Sequence, residues 1–126
     1  MRAAELGQWI RSCYGDANRL ASTSANGSAP LVLELPEAAT TFDRVVIQED
    51  LAAGQRVRRY KVEYRAASGQ PWLNFAIGQA IGHKRIDLAP TAVKLGKGAA
   101  LRLVIVGAVA PPVISNFAAF APCARK

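Results

Sequence analysis

From Phe42 to Asp87 the chain reads FDRVVIQEDLAAGQRVRRYKVEYRAASGQPWLNFAIGQAIGHKRID. Three apolar-rich runs lie in it: Phe42 to Gln48, Val57 to Arg65, and Trp72 to Ile77. Each is followed by a turn signal, respectively Ala52-Ala53-Gly54, Ala67-Ser68-Gly69 and Gly78. Runs this short, rich in Val, Ile, Tyr and Phe and broken by Gly and Ser, read as strands, and their regular spacing predicts an antiparallel all-β domain. In the first run Val45 and Ile47 share one face, Val46 and Gln48 the other. Apolar residues on both faces predict a central strand. In the second run the alternation slips, because Val57 is followed by Tyr60, Val62 and Tyr64. The odd step predicts a β-bulge at Arg58-Arg59 that turns both arginines outward. In the third, Leu73, Phe75 and Ile77 are expected on one face and Trp72, Asn74 and Ala76 on the other.

Outward from this centre, Leu31, Leu33 and Leu35 alternate with Val32 and Glu34, a half-buried strand ended by Pro36. Asp16 to Pro30 is rich in Ser, Asn, Gly and Ala, has no period and reads as loop. Ala3 to Tyr14 places Leu6, Trp9, Ile10 and Cys13 on one helical stripe, with Gly15 as a stop. The organisation expected is therefore a short amphipathic helix over residues 1–15, then a β-domain over 16–126. Downstream, Ile86 and Leu88 bracket Asp87. Pro90 interrupts, leaving Thr91 to Leu95 as at best an edge strand. Ala100 to Val106 is the most apolar strand, with Leu101, Leu103 and Ile105 opposite Val104 and Val106. Arg102, its one charge, should be buried and paired with Glu63 or Glu49, or else turned to an end loop. In the last strand, Val113 to Phe120, Ile114, Asn116, Ala118 and Phe120 are expected opposite Phe117. The count is about eight strands.

With 126 residues and 51% apolar content, the chain is one domain able to bury a core without metals or several disulfides. No apolar run approaches the ~18 residues of a membrane-spanning helix. Glu5, Gln8 and Arg11 interrupt the first residues, so no secretory leader is read there. The net charge is +7, but the basic residues are spread along the chain, which argues against nucleic acid. The densest patch, Arg56, Arg58, Arg59 and Lys61, leaves an anionic glycan or lipid surface as an alternative partner. Cys13 and Cys123 lie near opposite ends of the chain. They either bridge, closing a loop of nearly the whole domain, or remain two thiols.

Catalytic chemistry finds little purchase. Hydrolysis of a glycosidic bond needs two facing carboxylates, and Glu49-Asp50, the only adjacent acidic pair in the β-region, would point to opposite strand faces. His83 is the one histidine, and no nucleophile elbow or metal-ligand cluster accompanies it. No metal or cofactor is expected, although a structural calcium held by the loop from Glu49 to Gly54 stays open as an alternative. The polar constellation that remains is His83-Lys84-Arg85. Trp72 offers an aromatic platform for the apolar face of a sugar, and the planar, paired donors of Arg85 and Asn74 suit its hydroxyls; Glu49 joins His83, Lys84, Arg85, Trp72 and Asn74 as a candidate ligand residue. The alternatives are core packing for Trp72 and a solvated rim for Lys84 and Arg85.

The run QEDLAAGQRVRRYKVEY, then Trp72, then GQAIGHKRID and LRLVIVGAVAPPVISNFAAF, resembles the C-terminal β-sandwich domain of glycoside hydrolase family 29 α-L-fucosidases. Gln48-Glu49, Gly54 to Val57, Val62-Glu63, Trp72, Ile81 to Arg85, Arg102 to Ile105 and Pro112 to Ser115 carry the match, which spans Phe42 to Phe120. The resemblance implies a discoidin-like, galactose-binding-like jelly roll serving as a carbohydrate-binding or accessory module. The helix over residues 1–15 would then be the link from a catalytic barrel. It also implies that the catalytic residues of such an enzyme lie on the barrel, outside this chain, so hydrolysis by the chain alone is not expected. Fucosylated or galactosylated glycans and a glycosidase catalytic domain are the implied partners, and a secreted or periplasmic setting the implied location. A purely structural module, packed on a barrel or self-associating, is the competing reading.

Overall fold

The computed structural model describes residues 19–122, apart from Ser28, Ala38, Thr40 and Ala53. The expected N-terminal helix and both Cys13 and Cys123 lie outside the described residues. The described strands are β1 (Arg19–Asn26), β2 (Leu31–Glu34), β3 (Thr41–Glu49), β4 (Val57–Arg65), β5 (Leu73–Gly78), β6 (Arg85–Lys94), β7 (Ala100–Ala108) and β8 (Val113–Phe120). They form two four-stranded sheets, sheet I in the order β1-β8-β3-β6 and sheet II in the order β2-β7-β4-β5. All pairs are antiparallel and the pairings nest: β1 with β8, β2 with β7, β3 with β6, β4 with β5.

The inner faces of the two sheets share one core. Phe42, Val45, Ile47 and Phe117 come from sheet I, and Leu33, Val57, Tyr60, Val62, Leu101 and Leu103 from sheet II. Each such side chain contributes about 1.5–3 kcal/mol on full burial, so this layer dominates the stability of the fold. Phe42 packs on Phe75 at 5.0 Å between ring centroids and meets the edge of Tyr64 at 6.0 Å, fastening edge strand β5 to sheet I. A second buried cluster, Val46, Ala118 and Phe120, lies on the outer face of sheet I.

Strand β3 is central, as its two apolar faces require. The bulge at Arg58-Arg59 is present: the β4–β7 register shifts on both sides of Arg59. Val57 and Tyr60 are fully buried while Arg58 and Arg59 are exposed.

Four local expectations are corrected. Residues 19–26, read as loop, form β1. Its inward positions Ala21, Thr23 and Ala25 are too small to give an apolar period, and pairing with β8 supplies the order. Pro90 does not end a strand. It lies in the stretch of β6 between paired Leu88 and Val93, where the register against β3 jumps on the edge strand of sheet I, the kind of position at which a strand tolerates proline. Ile77 points outward and is 71% exposed, because the β4–β5 register shifts at Phe75. A matching shift at Ser115 puts Ile114 in the core beside Phe117, whereas Ala118 and Phe120 face out of sheet I.

This topology sorts the connections between two ends. Residues 27–30, 50–56, 79–84 and 109–112 form the upper end, and residues 35–40, 66–72 and 95–99 the lower end.

Candidate functional site

At the upper end the chain from β3 to β4 is shaped by Glu49. Its carboxylate oxygen Oε2 accepts hydrogen bonds from the backbone N–H groups of Arg56 at 2.8 Å and Val57 at 3.2 Å. Asp50 closes the turn by accepting from the N–H of Ala52. The Arg56 guanidinium donates to the Pro111 carbonyl at 2.6 Å, and the N–H of Glu49 donates to the Gly82 carbonyl. Three upper-end loops are thus tied together. Glu49 is 2% exposed, and through Oε2 it braces the loop. Around it Arg58, Arg59, His83 and Lys84 are exposed. Among the described residues no group of three or more His, Cys, Asp and Glu side chains comes together.

Arg85 leaves this loop and enters β6, where its Nε meets Asp87 Oδ1 at 3.2 Å. The other oxygen of Asp87 accepts a 2.6 Å hydrogen bond from the Tyr60 hydroxyl. Tyr60 belongs to sheet II and Asp87 to sheet I, so the bond crosses the core. Burial, and then the bond to Asp87, push the Tyr60 hydroxyl well above the usual phenol range. The bond to Asp87 likewise raises Arg85. Arg85 therefore combines a half-exposed side chain with a structural anchor.

Trp72 and Asn74 stand elsewhere. Trp72 is at the lower end, half-buried on the outer side of sheet II. The Arg102 guanidinium lies 4.3 Å and that of Arg65 5.1 Å from its ring centroid. Arg102 pairs with Glu63 through Nε at 3.0 Å and Nη2 at 2.8 Å, and Lys61 approaches the same carboxylate at 3.7 Å. The register sets Val32, Arg102, Glu63 and Asn74 in one row across the outer face. The structure brings Trp72, Asn74, Arg102 and Lys61 onto this face, and Glu49, Arg56, Arg58, Arg59, His83, Lys84 and Arg85 to the upper end. The six candidate ligand residues do not converge. Sequence order hides this, because β5 runs the length of the domain between Trp72 and His83.

A feature absent from the sequence reading lies at the lower end. There a cleft of about 560 Å³ is bounded by Glu34, Glu37, Arg65, Ser68, Lys97 and Gly98, over Leu35 and Ala99. Its residues are scattered across three connections and carry no motif. The only local signals were the turn glycines Gly69, Gly96 and Gly98.

No family model matches the chain. A rice protein (Oryza sativa subsp. japonica) named "Putative alpha-L-fucosidase 1" is 32% identical over 100 residues, which is 79% of this chain and 18% of that protein. The crystal structure of a "putative alpha-L-fucosidase" from Bacteroides thetaiotaomicron VPI-5482 superposes with a TM-score of 0.79 at 30% identity, over 94% of this chain and 25% of that one. The chain is homologous to the C-terminal domain of glycoside hydrolase family 29 α-L-fucosidases. A Ruminococcus gnavus family 29 fucosidase solved with fucose gives a TM-score of 0.60 at 27% identity, over 91% of this chain and 22% of that one. This fucosidase-domain homologue therefore spans about a fifth to a quarter of the length of these relatives. The strand that carries Gln48 and Glu49, the bulge of β4 and the Ile81 to Arg85 segment do structural work at the upper end.

Proposed function

We propose that this domain is an accessory, carbohydrate-binding module of an α-L-fucosidase-type glycoside hydrolase, without a catalytic site of its own. The observation that carries this reading is the pattern of coverage. Fucosidases match nearly all of this chain, yet the matched part is a small share of each enzyme. The buried carboxylates support it. Glu49 caps backbone N–H groups, Glu63 is taken by Arg102, and Asp87 by Tyr60 and Arg85. A glycosidase dyad needs two carboxyl groups facing one bond. The nested pairing of β1 with β8 through β4 with β5 supports a discoidin-like jelly roll, in which two sheets are wound from one long folded hairpin.

Glycan-array binding of the purified chain tests the reading. Signal on fucosylated or galactosylated glycans that survives moderate salt is expected, together with no release of an aryl fucoside's leaving group. Binding that collapses as salt rises would instead favour anionic glycan or lipid recognition through the upper-end arginines Arg56, Arg58 and Arg59.

A second reading, docking against a glycosidase barrel, is favoured by one observation. Ile86 and Leu88 are exposed on the outer face of sheet I, on edge strand β6, in register with Val46 and Arg44 of β3. Exposed apolar groups collected on one side suit a partner surface. A blank array, with co-elution of this chain and a family 29 catalytic barrel, would put this reading first.

A further inference from the structure

We propose that the lower-end cleft is a subsite for a neutral saccharide, a site distinct from the upper-end loops. The inference rests on the carbohydrate-binding reading and names where and how the sugar is held.

The cleft is built before any ligand arrives. Its two turns are stitched by backbone bonds, Ser68 N–H to Lys97 carbonyl at 2.9 Å and Gly96 N–H to Ala66 carbonyl at 2.7 Å. Gly98 has φ of +80°, and a Cβ there would lie 2.6 Å from the Cβ of Ser68, so only glycine lets the walls approach this closely. The floor is apolar: Leu35 and Ala99 are buried and joined by the bond from Leu35 N–H to Ala99 carbonyl. At about 560 Å³ the space falls in the range of small-ligand sites.

The chemistry of the walls selects the class. Two carboxylates, Glu34 and Glu37, face two cations, Arg65 and Lys97, so the lining is electroneutral and favours neither an anion nor a cation. Both acceptors and donors border an apolar floor, which matches vicinal hydroxyls above a hydrocarbon ring face. Arg65 spends its Nε on the Gly98 carbonyl at 3.3 Å, leaving its terminal N–H groups as paired donors. The Lys97–Glu37 pair across the mouth is long, 3.6 Å, and both side chains are largely exposed, so a ligand displaces it at little cost. Arg65 also lies 5.1 Å from the Trp72 ring centroid, which places that indole next to the cleft wall.

Amide chemical-shift mapping on the full chain, titrated with L-fucose and separately with lactose, tests the proposal. Saturable shifts at Ser68, Lys97, Gly98, Ala99 and the Trp72 indole are expected with at least one sugar, unchanged by added salt. Glu37→Gln, at an exposed position that leaves folding intact, should weaken that binding about 10-fold, the worth of one lost charged hydrogen bond. Arg65→Lys, which keeps charge but not the paired donors, should weaken it comparably. Saturable shifts confined to residues 50–56 and 79–84 would overturn the subsite and leave the carbohydrate-binding reading standing. No shift with either sugar, with a blank array, would overturn both. Binding at the cleft lost on raising salt would overturn the neutral class.

Discussion

The Tyr60 hydroxyl donates a 2.6 Å hydrogen bond to Asp87 Oδ2, joining sheet II to the edge strand of sheet I through the core. Tyr60 is fully buried and Asp87 is 8% exposed, and Arg85 holds the second carboxylate oxygen. The carboxylate is buried only because both its oxygens are met. The arginine that leads out of the upper-end loop is one of the two groups meeting them.

Tyr60→Phe should therefore destabilise the domain by about 1–3 kcal/mol, the cost of leaving a buried acceptor without its donor. Arg85→Ala, which removes a half-exposed partner, should cost less than about 1 kcal/mol. Urea denaturation of the two variants measures both. Equal and negligible losses would show that the cross-sheet bond adds nothing.

Alkaline pH offers a separate readout. Tyr60 is raised in the native state, so above pH about 10 the unfolded chain releases a proton that the native chain keeps, and stability falls as pH rises. The contribution is fully present below that pH and declines by about 1.4 kcal/mol per unit above it until Tyr60 itself ionises. Urea midpoints measured across this range should fall less steeply for Tyr60→Phe than for the wild type.

Gly78→Ala should be among the most damaging single-methyl additions. A Cβ at this position would stand 2.3 Å from Tyr60 Cε1 and 2.6 Å from its hydroxyl. Overpacking of this kind costs about 1–3 kcal/mol. It would also push the tyrosine off Asp87. A Tm equal to that of the wild type would mean that the ring has room to move.

Arg102→Leu removes the partner of Glu63, which is 8% exposed and would be left with Lys61 alone, and takes the guanidinium from beneath Trp72. A loss of about 1–3 kcal/mol is expected. The emission of Trp72 should also shift, read in a Trp9→Phe background because the chain has two tryptophans. Unchanged stability and emission would assign Arg102 to the solvated surface.

Much of the architecture was legible from pattern. Two-residue periodicity marked β2, β3, β4 and β7, and the odd step from Val57 to Tyr60 located a bulge, because side-chain direction in a strand is a local property. The total of about eight strands was reached through two compensating differences: β1 was missed and β6 was divided at Pro90. Both errors fall on edge strands, where partners on one side supply the order and local sequence imposes little. Ile77 and Ile114 went to the wrong faces for the same kind of reason. Their bulges at Phe75 and Ser115 come from register against a neighbouring strand.

The chain alone determined an all-β domain, its central strands, the outward arginines at 58 and 59, and kinship with the fucosidase C-terminal domain. The first three follow from residue types and spacing along one strand at a time, and the kinship from the resemblance of motifs in order along the chain. Only the tertiary structure decided which polar groups meet. Antiparallel strands carry neighbours in sequence to opposite ends of the domain and bring distant residues together. Trp72 is thereby parted from His83, while Glu34, Arg65 and Lys97 gather around one cleft.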